Sequence, residues 1–334
     1  MKISIVTPAP ARSRYGNRVT ALRWGRILRK LGHRVTVDQA YDNQAVDLLV
    51  ALHARRSSGS IERFHLKHPN SPIIVALTGT DLYRDLNVSQ RAQRSLDLAS
   101  RIVVLQPKAL DALRPRWRAK ARVIYQSVEP RPAVPRSTRA FNVCVIGHLR
   151  PVKDPFRAAM AARLLPASSR VRVIQIGGAM TEQAAARARQ EQRINPRYRW
   201  LAELPASRVR LALAGCRVCV LSSRMEGGAN AVGEAIIGGV PVLASRIPGS
   251  VGLLGDDYPG YFEAGDTGGL AELLTRVETD PAFLASLKRR CATLEPLFEP
   301  AREAEAWAKL LGEVFHPTTV PHAPGDTPNK PRTD

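Results

Sequence analysis

Short apolar runs recur along the chain, with helical patterns between them. Ile3–Thr7, Arg34–Asp38, Asp47–Leu52, Ile73–Leu77 and Ile102–Leu105 read as strands, and Val19–Leu31 and Ser89–Ala99 as helices. This alternation predicts a parallel sheet covered on both faces. The segment Glu129–Arg139, EPRPAVPRSTR, interrupts it and reads as a linker. The pattern then restarts. Strands are expected at Phe141–Ile146, Arg172–Ile176, Arg217–Ser222 and Pro241–Ala244, and helices at Phe156–Leu165, Glu182–Gln192 and Asn230–Gly238. Ala301–Phe315 reads as a closing helix, and the proline-rich stretch from His316 to Asp334 as disordered. The expected division is therefore residues 1–138, 139–300, 301–315 and 316–334. Two doubly wound α/β halves face each other across a cleft, and ligands of such sheets bind beyond the carboxyl ends of the strands.

Composition narrows the class. The 334 residues suffice for two domains. No apolar run approaches the roughly 18–20 residues of a membrane span. The start, MKISIVTPAP, is too soon interrupted by proline to be a secretory signal, so a cytoplasmic protein is expected. Four scattered cysteines make no disulfide framework, and the Cys216/Cys219 pair reads as core thiols. The net charge is +21. Residues 1–140 carry 26 Lys+Arg against 9 Asp+Glu, and residues 141–334 carry 24 against 20. The N-terminal half is thus expected to meet an anion: nucleic acid, a membrane surface or a small acidic substrate. No helix-turn-helix, zinc-finger or ribonucleoprotein signature favours nucleic acid.

The densest motif is SRMEGGANAVGEAIIGGVPVLAS, Ser223–Ser245. Gly227, Gly228, Ala229 and Asn230 lead into a helix whose free N–H groups suit an anion such as a diphosphate, and the glycines admit a close backbone approach. Glu226 stands before the helix and Glu234 inside it. The stretch resembles the donor site of the retaining, family-4-type glycosyltransferases of GT-B fold. That resemblance implies that Glu226 contacts the donor sugar and Glu234 the ribose hydroxyls. The segment IGHLRPVKD, Ile146–Asp154, is similar to the family's diphosphate loop: Gly147 ends the strand, Lys153 holds the lysine position, His148 replaces an arginine, and Arg150 lies two residues on. Lys153 with Arg150 is expected to stabilise the leaving diphosphate, a task done elsewhere by metal. No metal or other cofactor is expected, and Asp256-Asp257 reads as a solvated turn. Arg199–Leu204, with Leu201 and Glu203, corresponds to the base-contacting loop.

The N-terminal half carries the family's features in altered form. Gly16 and Asn17 open the first helix where the family has a glycine loop at the donor, and Arg12, Arg14 and Arg18 stand around them. Thr78, Gly79, Thr80 and Asp81 occupy a segment where the family often has His-Gly-x-Asp. Loss of that histidine suits an acceptor that is already ionised. His53, at the end of DLLVALH, offers an alternative approach to the cleft. SRYGNRVTALRWGRILRKLGH, LTGTDLYRD, SRMEGGANAVGEA and SRIPGSVGLLGDDYPGYF together resemble the selenosugar synthases of bacterial selenoneine biosynthesis. This resemblance implies a UDP-sugar donor, typically UDP-N-acetylglucosamine, and selenophosphate as acceptor, held by Arg12, Arg14, Arg18 and Thr78–Asp81. Two other readings stand beside it. One is a family-4 enzyme acting on a glycan or lipid, with Arg114–Arg122 and Trp117 touching a membrane. The other is a silent sugar-nucleotide binder.

Overall fold

The computed structural model describes residues 1–130, 137 and 139–316. Most of the expected linker and the tail beyond residue 316 lie outside the described residues.

Two six-stranded parallel sheets carry the fold. The first has the order β2-β1-β3-β4-β5-β6, built from β1 (Lys2–Val6), β2 (Arg34–Asp38), β3 (Leu48–Leu52), β4 (Ile73–Ala76), β5 (Arg101–Val104) and β6 (Ala121–Val123). The second has the order β12-β11-β10-β7-β8-β9. It comprises β7 (Phe141–Ile146), β8 (Val171–Ile176), β9 (Tyr198–Trp200), β10 (Val218–Leu221), β11 (Val242–Ser245) and β12 (Tyr261–Phe262). Central strands such as β3 and β10 are buried at every residue, as a sheet covered on both faces requires. The edge strand β2 alternates instead between half-buried and exposed positions.

Helices between the strands begin where side chains can satisfy free N–H groups. Ser89, Thr181, Asp266 and Asp280 each accept a bond from a backbone N–H three residues on. The closing helix, Pro300–Phe315, returns to the first sheet. There Trp307, Leu310 and Leu311 join Ile3, Ile5 and Trp24 in one core, with the two tryptophan rings edge-on at 4.9 Å. Aromatic pairs of this geometry add about 0.5–1.5 kcal/mol to the burial of their surface. Where the chain crosses between the sheets, Val128 N–H donates to Phe298 O at 2.9 Å and ties the two crossings together.

The positive charge of the first half is largely spent on the fold. Arg18 donates to Val37 O, Arg29 to Val35 O, and Arg118 to Leu110 O and Leu113 O. Lys120 donates to Asp97 O and Ala99 O, and Arg122 pairs with Glu313. Trp117 is only 2% exposed and donates its indole N–H to Asp97 Oδ1 at 2.7 Å. The Arg114–Arg122 segment is therefore tied to the sheet edge, and its tryptophan does not face a membrane. Among the described residues, no helix is long and apolar enough to cross one.

Gly177, after β8, sits at φ +149°, and an added Cβ would lie 2.0 Å from Gly147 O. Gly177→Ala is expected to lower stability by more than about 1 kcal/mol, read as a reduced denaturation midpoint. An unchanged midpoint would show that the β7 and β8 loops do not need this approach.

Candidate active site at the domain cleft

The carboxyl ends of the two sheets face each other, and glycine backbones make the contact. An added Cβ on Gly79, after β4, would fall 2.8 Å from Gly227 N. One on Gly227, after β10, would fall 2.5 Å from the Thr78 carbonyl carbon, and one on Gly228 would meet Leu105 at 2.4 Å. The sequence suggests glycines that admit a ligand; the structure uses both for close packing against the opposite half.

Beside this contact, the Lys153 ammonium donates to Glu226 Oε1 at 2.5 Å, and Ser223 Oγ donates to the same oxygen at 2.5 Å. Glu226 is 7% exposed. Lys153 ends the short turn Pro151–Lys153, and Asp154 follows at φ 43°, held by Arg157 at 2.8 Å and by Ser222 Oγ, which donates to its carbonyl. The ends of β7 and β10 are neighbours, so the two sequence-predicted charges meet across them. The Arg150 side chain is half-buried and has no hydrogen-bond or ion-pair partner among the described residues. Arg150 precedes the turn that ends in Lys153, whose N–H donates to Arg150 O.

The helix Asn230–Ile237 carries Glu234 in its second turn. Burial pushes the Glu234 carboxyl above its ordinary value, and Arg210 and Arg23 oppose the rise. Ala229 precedes the helix without a side-chain cap, so its first N–H groups remain available. All four cysteines are free and buried, with the thiols of Cys144 and Cys219 pushed up in the core, as expected of packing residues. Among the described residues, no three His, Cys, Asp or Glu side chains converge as a metal-binding set.

The expected acceptor residues do not gather in one place. Sheet order separates them, because β3 lies between β1 and β4. The loop after β1 faces the loops after β7 and β9. There Tyr15 and His148 rings meet edge-on at 5.2 Å, Arg14 O lies 3.4 Å from His148 Nε2, and Arg14 Nε is 3.9 Å from a Glu203 oxygen. Gly16 and Asn17 open the first helix at this end, and Leu201 is held here by its N–H bond to Gln175 O. Arg14 therefore belongs with the expected nucleotide loops, Arg12 is exposed, and Arg18 is buried with its guanidinium on Val37 O. Three cations converging on one acceptor is not the arrangement found.

Thr78 and Gly79 do lie at the Glu226–Gly227 contact, and Thr80 follows them. Asp81 differs from expectation. It is fully buried, with Oδ1 accepting from Thr78 N and Gly79 N at 2.9 Å and Oδ2 from Ala54 N at 3.0 Å. It shapes the loop and has no face for a ligand. Behind it His53, at φ 72° and 2% exposed, places Nε2 3.2 Å from Thr80 Oγ1. A left-handed histidine is uncommon outside constrained sites. Burial lowers its pKa from 6.5, against the attraction of Asp81 and Asp85 and with Arg56 adding to the fall.

Sequence reasoning gave no role to Ser223, whose hydroxyl reaches Glu226 three residues on, or to Leu105, which only the fold brings against Gly228. It also missed a cavity of about 590 Å³ between the halves, lined by Tyr83, Lys108, Asp111, Arg246, Asp256 and Glu263 among others. The residues Arg246 and Glu263 follow β11 and β12, so this space continues the cleft past Glu226, away from His148. Asp256 and Asp257 are exposed, as a solvated turn should be, and Asp256 also pairs with Lys108 across the halves at 3.2 Å.

Residues 129–293 match the sequence family described as glycosyl transferases group 1. The matched stretch takes in most of the half built on the second sheet. No curated protein sequence matches the chain. Among solved structures, sucrose-phosphate synthase from Thermosynechococcus elongatus superposes with a TM-score of 0.76 at 16% identity, covering 94% of this chain and 99% of that one. Anabaena HepE in complex with UDP and glucose gives 0.73 at 17%, covering 94% and 100%. The lipopolysaccharide outer core galactosyltransferase WaaB gives 0.66 at 12%, covering 93% and 99%. The two facing sheets are thus a GT-B fold, and Lys153, Glu226 and Glu234 all lie within the matched stretch.

In the first half, the burial of His53 predicts an acid sensitivity. Its folded pKa is depressed, so the unfolded chain binds more protons below pH 6.5. Stability should fall as pH drops through that region. His53→Gln should flatten the slope of denaturation midpoint against pH between pH 7.5 and 5.5; an unaltered slope would assign the acid sensitivity to other groups.

Proposed function

We propose that the protein transfers N-acetylglucosamine from its UDP derivative to the selenium of selenophosphate. The observation that carries the donor half of this reading is the Lys153–Glu226 pair, set between Gly147 and the Asn230 helix at the carboxyl ends of β7 and β10. In it, Lys153 would exchange Glu226 for the departing diphosphate, with Arg150 beside it. Positive charge aimed at a developing anion in a dry cleft is an effective way to lower such a barrier. Glu226, freed of the lysine, would accept from a sugar hydroxyl, and Glu234 from the ribose.

The acceptor half is supported by what loop 78–81 offers. Its exposed groups are hydroxyls and backbone, with Asp81 spent on N–H groups and His53 shielded behind Thr80. This suits a nucleophile that arrives ionised and needs no base. Selenium would supply the electron pair for a new C1–Se bond while the C1–O bond breaks and UDP leaves with its pair. Water would then cleave the P–Se bond, releasing phosphate and the selenosugar. We assign Arg14 and Tyr15 to closing the nucleotide end, with no part in the acceptor site.

One observation favours a second reading. The 590 Å³ cavity is far larger than a small anion needs, and its acidic side chains outnumber its basic ones. A hydroxyl-rich acceptor would fill it. Mass spectrometry of products from UDP-N-acetylglucosamine with enzymatically generated selenophosphate tests the first reading. A selenosugar supports it, while UDP formation only with a sugar or glycan acceptor would replace it by the second. UDP binding without any turnover would reduce the protein to a sugar-nucleotide binder.

Lys153→Ala should cut turnover roughly a hundred- to a thousandfold, the usual loss of one preorganised charge-stabilising donor. Steady-state kinetics measure it, and a near-normal rate would move the role to Arg150 or His148. Turnover should also persist in EDTA, because side-chain cations are assigned the charge compensation; inhibition reversed by magnesium would contradict that assignment.

A further inference from the structure

We propose that Arg23 is the positioning residue of the donor helix, linking a buried carboxylate of the closing helix to the residues that open Asn230–Ile237. The inference rests on the donor reading above. Arg23 lies on the first helix, in the N-terminal half, with its side chain 12% exposed. Its Nε is 3.2 Å from Glu303 Oε2, and that carboxylate is 1% exposed. Its Nη1 donates to Asn230 Oδ1 and to Ser127 O, both at 3.2 Å. One guanidinium thus touches the first helix's own half, the crossing segment and the first residue of the donor helix.

The surrounding groups leave it little freedom. Glu303 Oε1 accepts from Trp24 Nε1 at 2.8 Å, and Oε2 accepts from Ser127 N at 2.9 Å. Gln126 completes the ring when its amide nitrogen faces Gly228 O and Asn230 Oδ1, both at 3.0 Å, and its oxygen accepts from Arg23 Nη2 at 2.9 Å. Both Glu303 oxygens and the Gln126 amide are hydrogen-bonded there, and Arg23 Nε meets Glu303 as an ion pair alone, so most of the network holds one geometry. The network fixes both the carbonyl of Gly228 and the side chain of Asn230, immediately before the turn that carries Glu234. Arg23 also contributes, with Arg210, to holding down the Glu234 carboxyl against its burial. A lysine has one point charge where this site needs a planar fork with donors on three sides.

The test separates positioning from bulk stability. Arg23→Gln leaves Glu303 buried without its cation and should lower the denaturation midpoint. Adding Glu303→Gln removes the stranded charge and should restore most of that midpoint. If Arg23 positions the donor helix, the double variant should still exchange amide hydrogen faster than wild type at residues 228–231. It should also bind UDP roughly tenfold or more weakly, the loss of one charged hydrogen bond, with turnover at saturating donor changed less. Should UDP affinity and exchange both return with the midpoint, Arg23 is only a structural counter-ion and the proposal falls. A wild-type chain that binds no UDP would overturn the donor reading, and exchange at 228–231 would then decide the role of Arg23 by itself.

Discussion

The contact between Gly79 and Gly227 is the constraint on which the cleft depends. Two backbones from opposite halves approach too closely for any side chain between them. This sets the distance between the sheets, and with it the separation of everything on their facing loops. Leu105 against Gly228 and Gln106 against Gly252 repeat the arrangement one strand further along. With the halves fixed at this point, Tyr15 reaches His148 on one side and Lys108 reaches Asp256 on the other. The Lys153–Glu226 pair lies between those flanking contacts, shielded by both sheets.

Charge in this protein has two uses that composition cannot separate. An arginine that donates to a carbonyl at a sheet edge and one that waits in a cleft count equally toward +21. Arg18, Arg29, Arg118 and Arg122 are of the first kind, each covering backbone oxygen or closing an ion pair at the periphery. Arg150 and Lys153 are of the second. Their half carries the smaller net charge, so on the function proposed above net charge would not mark the diphosphate site. Long side chains of this type also cover apolar surface with their stems while their heads satisfy oxygen atoms.

The central strands and the spacing of the two glutamates after β10 were legible in the sequence because both are local. Runs such as FNVCVI are apolar over their own length, and Glu226 and Glu234 keep their spacing whatever surrounds them. The strands β6, β9 and β12 were not legible: two or three residues long, at the sheet edges or next to them, they carry too little apolar sequence to announce themselves. The acceptor residues failed for a different reason. Arg14, Arg18 and Asp81 were grouped by chemistry, whereas sheet order and helix phase send their side chains to three separate tasks. Arg23 gave no sign at all, standing in an ordinary amphipathic helix with its partners 104, 207 and 280 residues away in Ser127, Asn230 and Glu303.

The closing helix gives the chain an unusual order of assembly. The first sheet is synthesised before the second, yet Trp24, Ile3 and Ile5 find part of their core only in Trp307, Leu310 and Leu311. During synthesis that apolar surface stays open to water and to other chains until the last turns emerge. The second sheet has its own core and waits for nothing. A ribosome that stalls late would therefore release a chain with a finished second half and an unfinished, aggregation-prone first half. Length control at the C-terminal side is in this sense quality control for the N-terminal side.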